Sequence, residues 1–223
     1  MLSVTDIHKS YKNTPVLSGV SLSAERGLAV GIAGANGSGK STLLSILCGL
    51  LAPDAGEALL DGANVQKDPR ARRRIGLVPQ ESALYDDLSV RDNINFWASA
   101  YKVKYEPWLM TADDMPKKAR VLSGGMRKRL NIELAMINAP DFLVLDEPAS
   151  GLDLVYQLQV SEIISRLKAE GRGVILTSHN ADELWVCDTL YILKAGGFVY
   201  SGAPDGFSDK ESFRNRLYET ISG

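Results

Sequence analysis

The sequence predicts an α/β protein with a mainly parallel sheet, an N-terminal antiparallel β subdomain and a short helical subdomain. Three observations support this prediction. The first third of the chain contains short β-branched and apolar segments separated by turn residues. In the last part, apolar strand-like segments alternate with helix-like segments. Between them, residues 89–103 place apolar side chains at helical spacing, and a second helix is expected before residue 139. A chain of 223 residues fits one domain with two lobes.

The first half of the chain contains five predicted strands and one predicted helix. The strands are LSVTDIHKSY (2–11), VLSGVSLSA (16–24), LAVGIAG (28–34), GEALLDG (56–62) and IGLVPQ (75–80). A buried helix is predicted from Lys40 to Leu50, where aliphatic side chains are dense and Gly49 and Pro53 mark the end.

The middle of the chain is predicted to hold two helices joined by a loop-rich connector. SVRDNINFWASAYKV (89–103) has apolar residues every three or four positions, which indicates an amphipathic helix. Residues 103–120 are mixed and contain Pro107 and Pro116, so no further helix is expected there. The second helix is expected from about Ser123 to Asn138.

The last part of the chain continues the alternation of strands and helices. The predicted elements are a strand in DFLVLDEP (141–148), a helix over 152–170, a strand in GVILTSH (173–179), a short helix over 181–187, a hairpin over 189–202 and a final helix in ESFRNRLYETISG (211–223). Gly196 and Gly197 are expected at the tip of the hairpin.

Composition and charge exclude several classes of protein. The net charge of −2 and 23% charged residues give no basis for general nucleic-acid binding. No apolar run approaches the ~18 residues that span a bilayer, and MLSVTDIHKSYK lacks an export-signal pattern. We therefore expect a cytoplasmic protein whose membrane role, if any, comes through a partner. Cys48 and Cys187 are expected to be buried free thiols.

The motif GANGSGKST follows an apolar strand and opens a helix, which is the context of a phosphate-binding loop (P-loop). Its glycines let successive backbone N–H groups point at an anion, and the helix dipole adds to the attraction. Lys40 can reach the β- and γ-phosphates, and Ser41 offers a hydroxyl to Mg²⁺. A glycine-rich turn without a ligand would not need the Lys-Ser-Thr end. The predicted phosphate-binding residues are Gly34, Ala35, Asn36, Gly37, Ser38, Gly39, Lys40, Ser41 and Thr42.

Two carboxylates end the apolar strand FLVLDEP, at the edge where parallel sheets bind ligands. Asp146 is predicted to hold Mg²⁺, directly or through water. Glu147 points elsewhere and is predicted to polarise the water that attacks the γ-phosphate. The alternative is that the two acids merely cap a strand end in solvent. The presence of a P-loop in the same chain favours the magnesium and catalytic roles over that alternative. Together the motifs predict binding of an adenine or guanine nucleotide with Mg²⁺.

A P-loop alone allows a GTPase switch, a small-molecule kinase or a mechanical ATPase. No Asn-Lys-x-Asp run of guanine-specific GTPases occurs in the chain. LSGGM (122–126), just before a predicted helix, resembles the signature of the ATP-binding cassette (ABC) family. The resemblance covers nearly the whole chain, with seven motifs in the family's order: Tyr11, GANGSGKST, Gln80, LSGGM, FLVLDEP, SGLD (150–153) and His179.

The resemblance implies roles that single residues could not establish. Tyr11 would stack on adenine, although a lone aromatic at a strand end usually packs against protein. Gln80 would join Mg²⁺ or the lytic water and report nucleotide state to the helical lobe, and His179 would hydrogen-bond the γ-phosphate. Taken alone, a glutamine such as Gln80 is more often a surface amide, and a histidine such as His179 is as often a structural residue. Asp153 would lie in a loop that crosses to a second subunit.

The resemblance also implies that two cassettes stack head to tail. Ser123, Gly124 and Gly125 of one chain would then cap the γ-phosphate held by Lys40 of the other. The whole chain would be one nucleotide-binding domain. Residues 1–88 and 140–223 would form the ATPase core with its β subdomain, and about 89–139 the helical subdomain.

Some features depart from the commonest pattern of the family. Met126 stands where Gln is commonest, and the insert between its first helix and the signature is short. ESALYDDLSVRDNINF, after Gln80, is similar to exporter cassettes. The arginine-rich run 70–74 is expected to be a solvated face, with contact to anionic lipid headgroups as the alternative.

Together these features predict an ATP-hydrolysing subunit of an exporter. Its expected partners are separate integral membrane subunits and a second cassette, either the same chain or a close paralogue, and not nucleic acid. It is expected at the inner face of the cell membrane, bound through its membrane partner. Two alternatives stay open: a cassette that regulates a membrane protein without transport, and a soluble cassette of DNA repair or ribosome work.

Overall fold

The computed structural model describes residues 1–152, 154–204 and 209–222. The predicted role of Asp153 therefore falls outside the described residues. In chain order the elements are β1 (Leu2–Tyr11), β2 (Thr14–Ala24), β3 (Ala29–Ala33), α1 (Lys40–Leu47), β4 (Ala55–Leu60), β5 (Ala63–Asn64), α2 (Pro69–Arg72), β6 (Ile75–Val78), α3 (Val90–Tyr101), a 3₁₀ turn (Ala119–Val121), α4 (Gly124–Met136), β7 (Phe142–Asp146), α5 (Leu154–Ala169), β8 (Gly173–Thr177), α6 (Ala181–Trp185), β9 (Thr189–Lys194), β10 (Gly197–Gly202) and α7 (Lys210–Ser222).

A six-stranded sheet forms the centre of the molecule, in the order β10-β9-β3-β8-β7-β6. Its pairs are parallel except β9–β10, which is the antiparallel hairpin. Every residue of β3, β7 and β8 is buried, which explains why these strands read as continuous apolar runs. Because β3, β7 and β8 run parallel, their carboxyl ends meet at one edge of the sheet.

A second sheet, antiparallel and in the order β2-β1-β4-β5, contains the N-terminal strands. The apolar face of this sheet packs in one hydrophobic core with α1 and with side chains of β3, β7 and β8. The predicted fold class, a mainly parallel sheet with an antiparallel β subdomain and a short helical region, is confirmed. No described helix is both long enough and apolar enough to cross a membrane.

Three details differ from the sequence-based expectation. The hairpin turns at Ala195 and Gly196, both with positive φ (50° and 81°), and Gly197 already belongs to β10. The expected tip at Gly196 and Gly197 is therefore wrong by one residue, because a two-residue turn with positive φ at both positions best fits the strand twist. The elements β5 and α2 were not predicted, since two and four residues carry no periodic signal.

The arginine run is not simply a solvated face. Arg74 pairs with Asp61 and Asp141, each at 2.6 Å, and Arg26 pairs with the same two carboxylates at 2.6 and 2.8 Å. Hydrogen bonds from Arg26 are the largest cause of the lowered pKa of Asp61. Arg72 donates to the backbone carbonyls of residues 65 and 66. The run thus ties the antiparallel sheet to the starts of β6 and β7.

The connector between α3 and α4 is organised by a buried carboxylate instead of another helix. Glu133, in the middle of α4, has no exposed surface. It accepts hydrogen bonds from the Tyr105 hydroxyl at 2.5 Å and from the backbone N–H groups of Trp108 (3.0 Å), Leu109 (2.7 Å) and Met110 (3.2 Å). Four donors satisfy this one buried carboxyl group, so a single side chain anchors the short insert.

Replacing Glu133 by Gln is expected to destabilise this lobe. An amide places donor hydrogens against backbone N–H groups, which costs about 2 kcal/mol and lowers Tm by about 4–8 °C. Limited proteolysis should cut the connector faster. The matched control is Glu106→Gln, an exposed glutamate on the same connector, which is expected to leave both readouts unchanged. Equal stability of the two variants would contradict the anchoring role of Glu133.

Candidate active site

The P-loop joins β3 to α1 at the carboxyl edge of the central sheet. Gly34 has φ 157°, and a Cβ there would lie 2.5 Å from the carbonyl oxygen of Leu193. Gly39 is the N-cap of α1, with φ 104°, and no side chain caps the helix there. The first N–H groups of α1 therefore remain available to an anion, and only glycine fits the turn that exposes them.

Lys40 is held inside this loop and is only 5% exposed. Its ammonium group donates to the carbonyl oxygens of Gly34 at 2.9 Å and Ala35 at 3.2 Å. The hydroxyl of Ser38 is buried and has no hydrogen-bond partner among the described residues. The Lys40 ammonium group and the Ser38 hydroxyl are both hydrogen-bond donors that a bound polyphosphate would engage.

A cavity of about 600 Å³ opens beside the loop. Its lining comes from β2, the P-loop, the segment after β6 and the residues after β7 and β8: Val16, Asn36, Gly37, Gly39, Lys40, Ser41, Thr42, Gln80, Glu147, Ser150 and His179. The fold thus brings Gln80, Glu147 and His179, which are far apart in sequence, to the P-loop.

The two acids after β7 are fixed by one hydroxyl. Thr177, at the end of β8, donates its hydroxyl to Asp146 at 2.6 Å. The same oxygen accepts the backbone N–H of Glu147 at 3.0 Å. Glu147 has φ 47°, in the left-handed region that residues other than glycine seldom adopt. Thr177 therefore orients the Asp146 carboxylate and fixes the backbone at Glu147.

The Glu147 carboxylate lies at the centre of the polar groups and is 7% exposed. It is 3.7 Å from the Lys40 ammonium, 3.8 Å from Nδ1 of His179 and accepts a hydrogen bond from the Gln80 amide at 3.2 Å. A buried carboxylate with these partners is in position to orient a water beside a phosphate.

Other predicted site residues lie outside this cavity. Asp146 is buried behind Glu147 and does not line it. The Tyr11 ring, 47% exposed, also stands outside the lining. The signature residues Ser123, Gly124 and Gly125 lie at the start of α4, with Ser123 and Gly124 exposed, and they do not line the cavity of their own chain.

Two residues of α4 that were not predicted hold the segment after β6. Lys128 donates to the backbone carbonyl of Gln80, and burial lowers its pKa. Asn131 accepts from the backbone N–H of Ala83 at 3.3 Å and donates to the Ser82 hydroxyl at 2.9 Å. Their spacing of three residues places both on one face of the helix, which is the only signal the sequence offers.

Comparison with known proteins agrees with the motifs and the site geometry described above. The family model described as ABC transporter matches residues 17–150. The chain belongs to the ABC transporter family. This ABC protein is an ATP-binding and ATP-hydrolysing subunit of a transporter, as the resemblance of its motifs predicted.

Two curated relatives and two solved structures show how far the likeness extends. The linearmycin resistance ATP-binding protein LnrL of Bacillus subtilis is 31% identical, over 100% of this chain and 76% of the relative. The Nod factor export ATP-binding protein I of Ralstonia nicotianae is 37% identical, over 92% and 67%. An ATP-binding subunit of an ABC transporter superposes with TM-score 0.86 at 26% identity, over 100% of both chains. The dimeric ABC transporter cassette MJ0796 superposes with TM-score 0.80 at 25% identity, over 91% and 98%.

Removing the Thr177 hydroxyl is expected to slow hydrolysis more than it weakens ATP binding. Thr177→Val keeps the shape of the side chain but removes the hydroxyl that donates to Asp146. The N–H of Glu147 loses the same hydroxyl and keeps only the backbone carbonyl of residue 177, at 3.2 Å. We expect kcat to fall about tenfold or more, as for a lost hydrogen bond to a charged group. Thr177→Ser retains the hydroxyl and should restore most of the rate. Equal kcat for the Val variant and the original chain would exclude this positioning role.

Proposed function

We propose that this ABC subunit powers export, by hydrolysing ATP at sites shared between two cassettes. The observation that carries the shared site is the exposed signature turn, which does not face the cavity of its own chain. Export is supported by the printed names of relatives, which concern Nod factor export and linearmycin resistance. The membrane partner is a separate chain, and the choice of exported compound is made there.

The residues of the chain divide the work of binding. In our proposal Lys40 leaves the carbonyls of Gly34 and Ala35 and contacts the β- and γ-phosphates. The N–H groups of the P-loop and the first turn of α1 hold the remaining phosphate oxygens. Tyr11 pairs with Thr14 at the start of β2, the strand that brings Val16 into the cavity. Its exposed ring is therefore our candidate for stacking on adenine.

The residues also fit a magnesium ion. Ser41 offers a hydroxyl, Gln80 an amide oxygen and Asp146 a carboxylate, which are the hard oxygen donors that Mg²⁺ prefers. When bound with ATP, the ion neutralises charge on the β- and γ-phosphate oxygens. Ser41 and Gln80 already line the cavity, and Thr177 leaves the second carboxylate oxygen of Asp146 free of that bond.

Glu147 carries the chemical step in this proposal. Once Lys40 is engaged by phosphate, the Glu147 carboxylate loses its cationic neighbour and accepts a hydrogen bond from the attacking water. The Nδ1 atom of His179 lies 3.8 Å from that carboxylate, and in our proposal His179 hydrogen-bonds the γ-phosphate from the other side. Gln80 donates to Glu147 before ATP arrives and so holds the carboxylate in the cavity.

The second cassette completes the site. Ser123 caps α4 by accepting the N–H of Met126 at 3.3 Å, so the turn is preformed and its glycines leave the backbone accessible. Ser123, Gly124 and Gly125 of one chain would contact the γ-phosphate held by Lys40 of the other. A homodimer would contain two such sites, and a close paralogue could replace one chain.

A groove between the two lobes is our candidate for the membrane partner. It measures about 550 Å³ and is mostly apolar, with Leu50, Pro69, Ile75, Leu77, Trp97, Tyr101 and Leu134 among its lining. Leu50 is 68% exposed, and Phe96 and Tyr101 beside Trp97 are 47% and 38% exposed. Because apolar surface of this kind marks interaction sites, we propose that a cytoplasmic helix of a membrane subunit docks here. The protein would then lie at the inner face of the membrane.

Replacing Glu147 by Gln is expected to abolish turnover and leave ATP binding intact. Without hydrolysis, ATP should hold two chains together, which size-exclusion chromatography with light scattering would detect as an ATP-dependent dimer. The double variant with Lys40→Ala should remain a monomer, because it lacks the main phosphate contact. Normal hydrolysis by the Glu147 variant would remove Glu147 from its proposed role.

Replacing Leu50 by Glu is expected to prevent docking without changing ATP hydrolysis by the isolated chain. A charge in the groove disfavours burial of an apolar helix, so co-purification with the membrane subunit should drop about tenfold or more. Val199→Glu, at an exposed apolar position on β10, is the matched control. Retained co-purification of the Leu50 variant would contradict the groove assignment.

Reconstitution of the subunit with its membrane partner in vesicles tests the export function itself. Movement of a compound out of the ATP-containing compartment, dependent on hydrolysis, is the expected result. ATP use by the complex without movement of any compound would favour a regulatory cassette.

A further inference from the structure

A second, smaller cavity lies behind the Glu147 carboxylate, and the mechanism above does not use it. Its volume is about 60 Å³. The lining is mostly polar and includes Glu147, Gln157, Ser178, His179, Asn180 and Glu183. A polar space of this size holds one or a few ordered waters.

Glu183, on α6, presents a buried carboxyl group to this cavity. The residue is 3% exposed. The Ser178 side chain hydrogen-bonds one part of the carboxyl group, whereas Oε2 is fully buried and has no hydrogen-bond partner in the described part of the chain. Buried polar atoms are almost always satisfied by protein or ordered water, so the orphan oxygen indicates a water in the adjoining space.

The surroundings of Glu183 favour its neutral form. Burial raises its pKa to about 7, and the negative charges of Glu147 and Asp182 act in the same direction. The hydrogen bond from Ser178 and the ammonium of Lys128 act against them. The other ionisable groups around Glu183 come from every element packed against it. They are Glu147 after β7, Lys128 on α4, Tyr156 on α5, His179 before α6, Asp182 on α6 and Cys187 after α6.

We propose that Glu183 is a positioning residue for ATP hydrolysis: its carboxyl group holds water in the small cavity, and that water hydrogen-bonds the Glu147 carboxylate. The inference rests on the proposed role of Glu147. Lys40 is the nearest cation to Glu147, at 3.7 Å, and in our proposal it moves to the phosphates when ATP binds. The buried Glu147 carboxylate then keeps the Gln80 amide as a donor at 3.2 Å, and the cavity water supplies a further donor in place of the lost cation.

The charge state of Glu183 decides whether this arrangement helps. A neutral Glu183 orients water toward Glu147 without adding charge. An ionised Glu183 instead places a second negative charge beside Glu147 and disfavours the carboxylate needed for hydrolysis. Glu183→Gln imitates the neutral acid at every pH and keeps hydrogen-bonding groups in the same place.

The test is the pH profile of kcat and KM for the original chain, Glu183→Gln and Glu183→Leu, between about pH 6 and pH 9. The ratio of kcat for the Gln variant to that of the original chain should rise severalfold across neutral pH. KM for ATP should change little, because Glu183 does not touch the nucleotide. The Leu variant should have about tenfold lower kcat than the Gln variant at every pH, as for a lost hydrogen bond to a charged group. Glu57→Gln, an exposed glutamate on β4, is the control.

A stability measurement gives a readout that does not depend on turnover. The pKa of Glu183 rises from 4.5 to about 7 on folding, so its protonated form stabilises the folded chain. That contribution is complete below pH 4.5 and is lost as the pH rises to about 7. The Tm of Glu183→Gln minus that of the original chain should therefore increase across this window.

Two results would overturn the proposal. One is a kcat ratio for Glu183→Gln that stays constant from acid to alkaline pH. The other is a Leu variant with the original kcat. These outcomes are separate from a failure of the proposed function, which would show as hydrolysis by Glu147→Gln whatever Glu183 does.

Discussion

The chemistry of this protein depends on two buried opposite charges, Lys40 and Glu147, which face each other at 3.7 Å across the carboxyl edge of the central sheet. Neither would be stable alone at its low exposure. Three buried parallel strands fix their positions, since β3 leads into the P-loop, β7 ends at the acids and β8 supplies Thr177. A polyphosphate can replace Glu147 as the partner of Lys40. That exchange frees Glu147 for water, so substrate binding itself would prepare the catalytic group.

Helix α4 connects this site to the rest of the molecule. Ser123 forms its N-cap, and Lys128 and Asn131 hold the segment after β6. Glu133 holds the short connector between α3 and α4. A shift of Gln80 therefore moves the same rigid helix that carries the signature turn. This continuity gives a physical route from one nucleotide to the surface that would meet the other chain, and to the groove proposed for the membrane partner.

Much of the fold was readable from sequence because its signals are local. The apolar runs of β3, β7 and β8 and the helical spacing of Val90 and Ile94 need no tertiary information. The residues that were missed act through distant partners: Thr177 meets Asp146 across strands, Glu133 meets a connector more than twenty residues earlier, and Glu183 faces Glu147 across a cavity. A polar residue inside an apolar strand was the one available signal for Thr177. The P-loop, Gln80, Glu147 and His179, which their motifs single out, line one cavity. The cavity lining does not include Tyr11, whose ring is exposed, or Asp146, which is buried. The order of motifs along the chain does not determine how far each side chain lies from the cavity.

The central claim is that each ATP lies between Lys40 of one chain and Ser123 of another. It is tested most directly by mixing two inactive variants, Lys40→Ala and Ser123→Arg, and measuring ATP hydrolysis. A mixed dimer holds one site with an intact Lys40 from the second variant and an intact Ser123 from the first. The account predicts that the mixture hydrolyses ATP although each variant alone does not. A mixture as inactive as its components, with mixed dimers present, would contradict it.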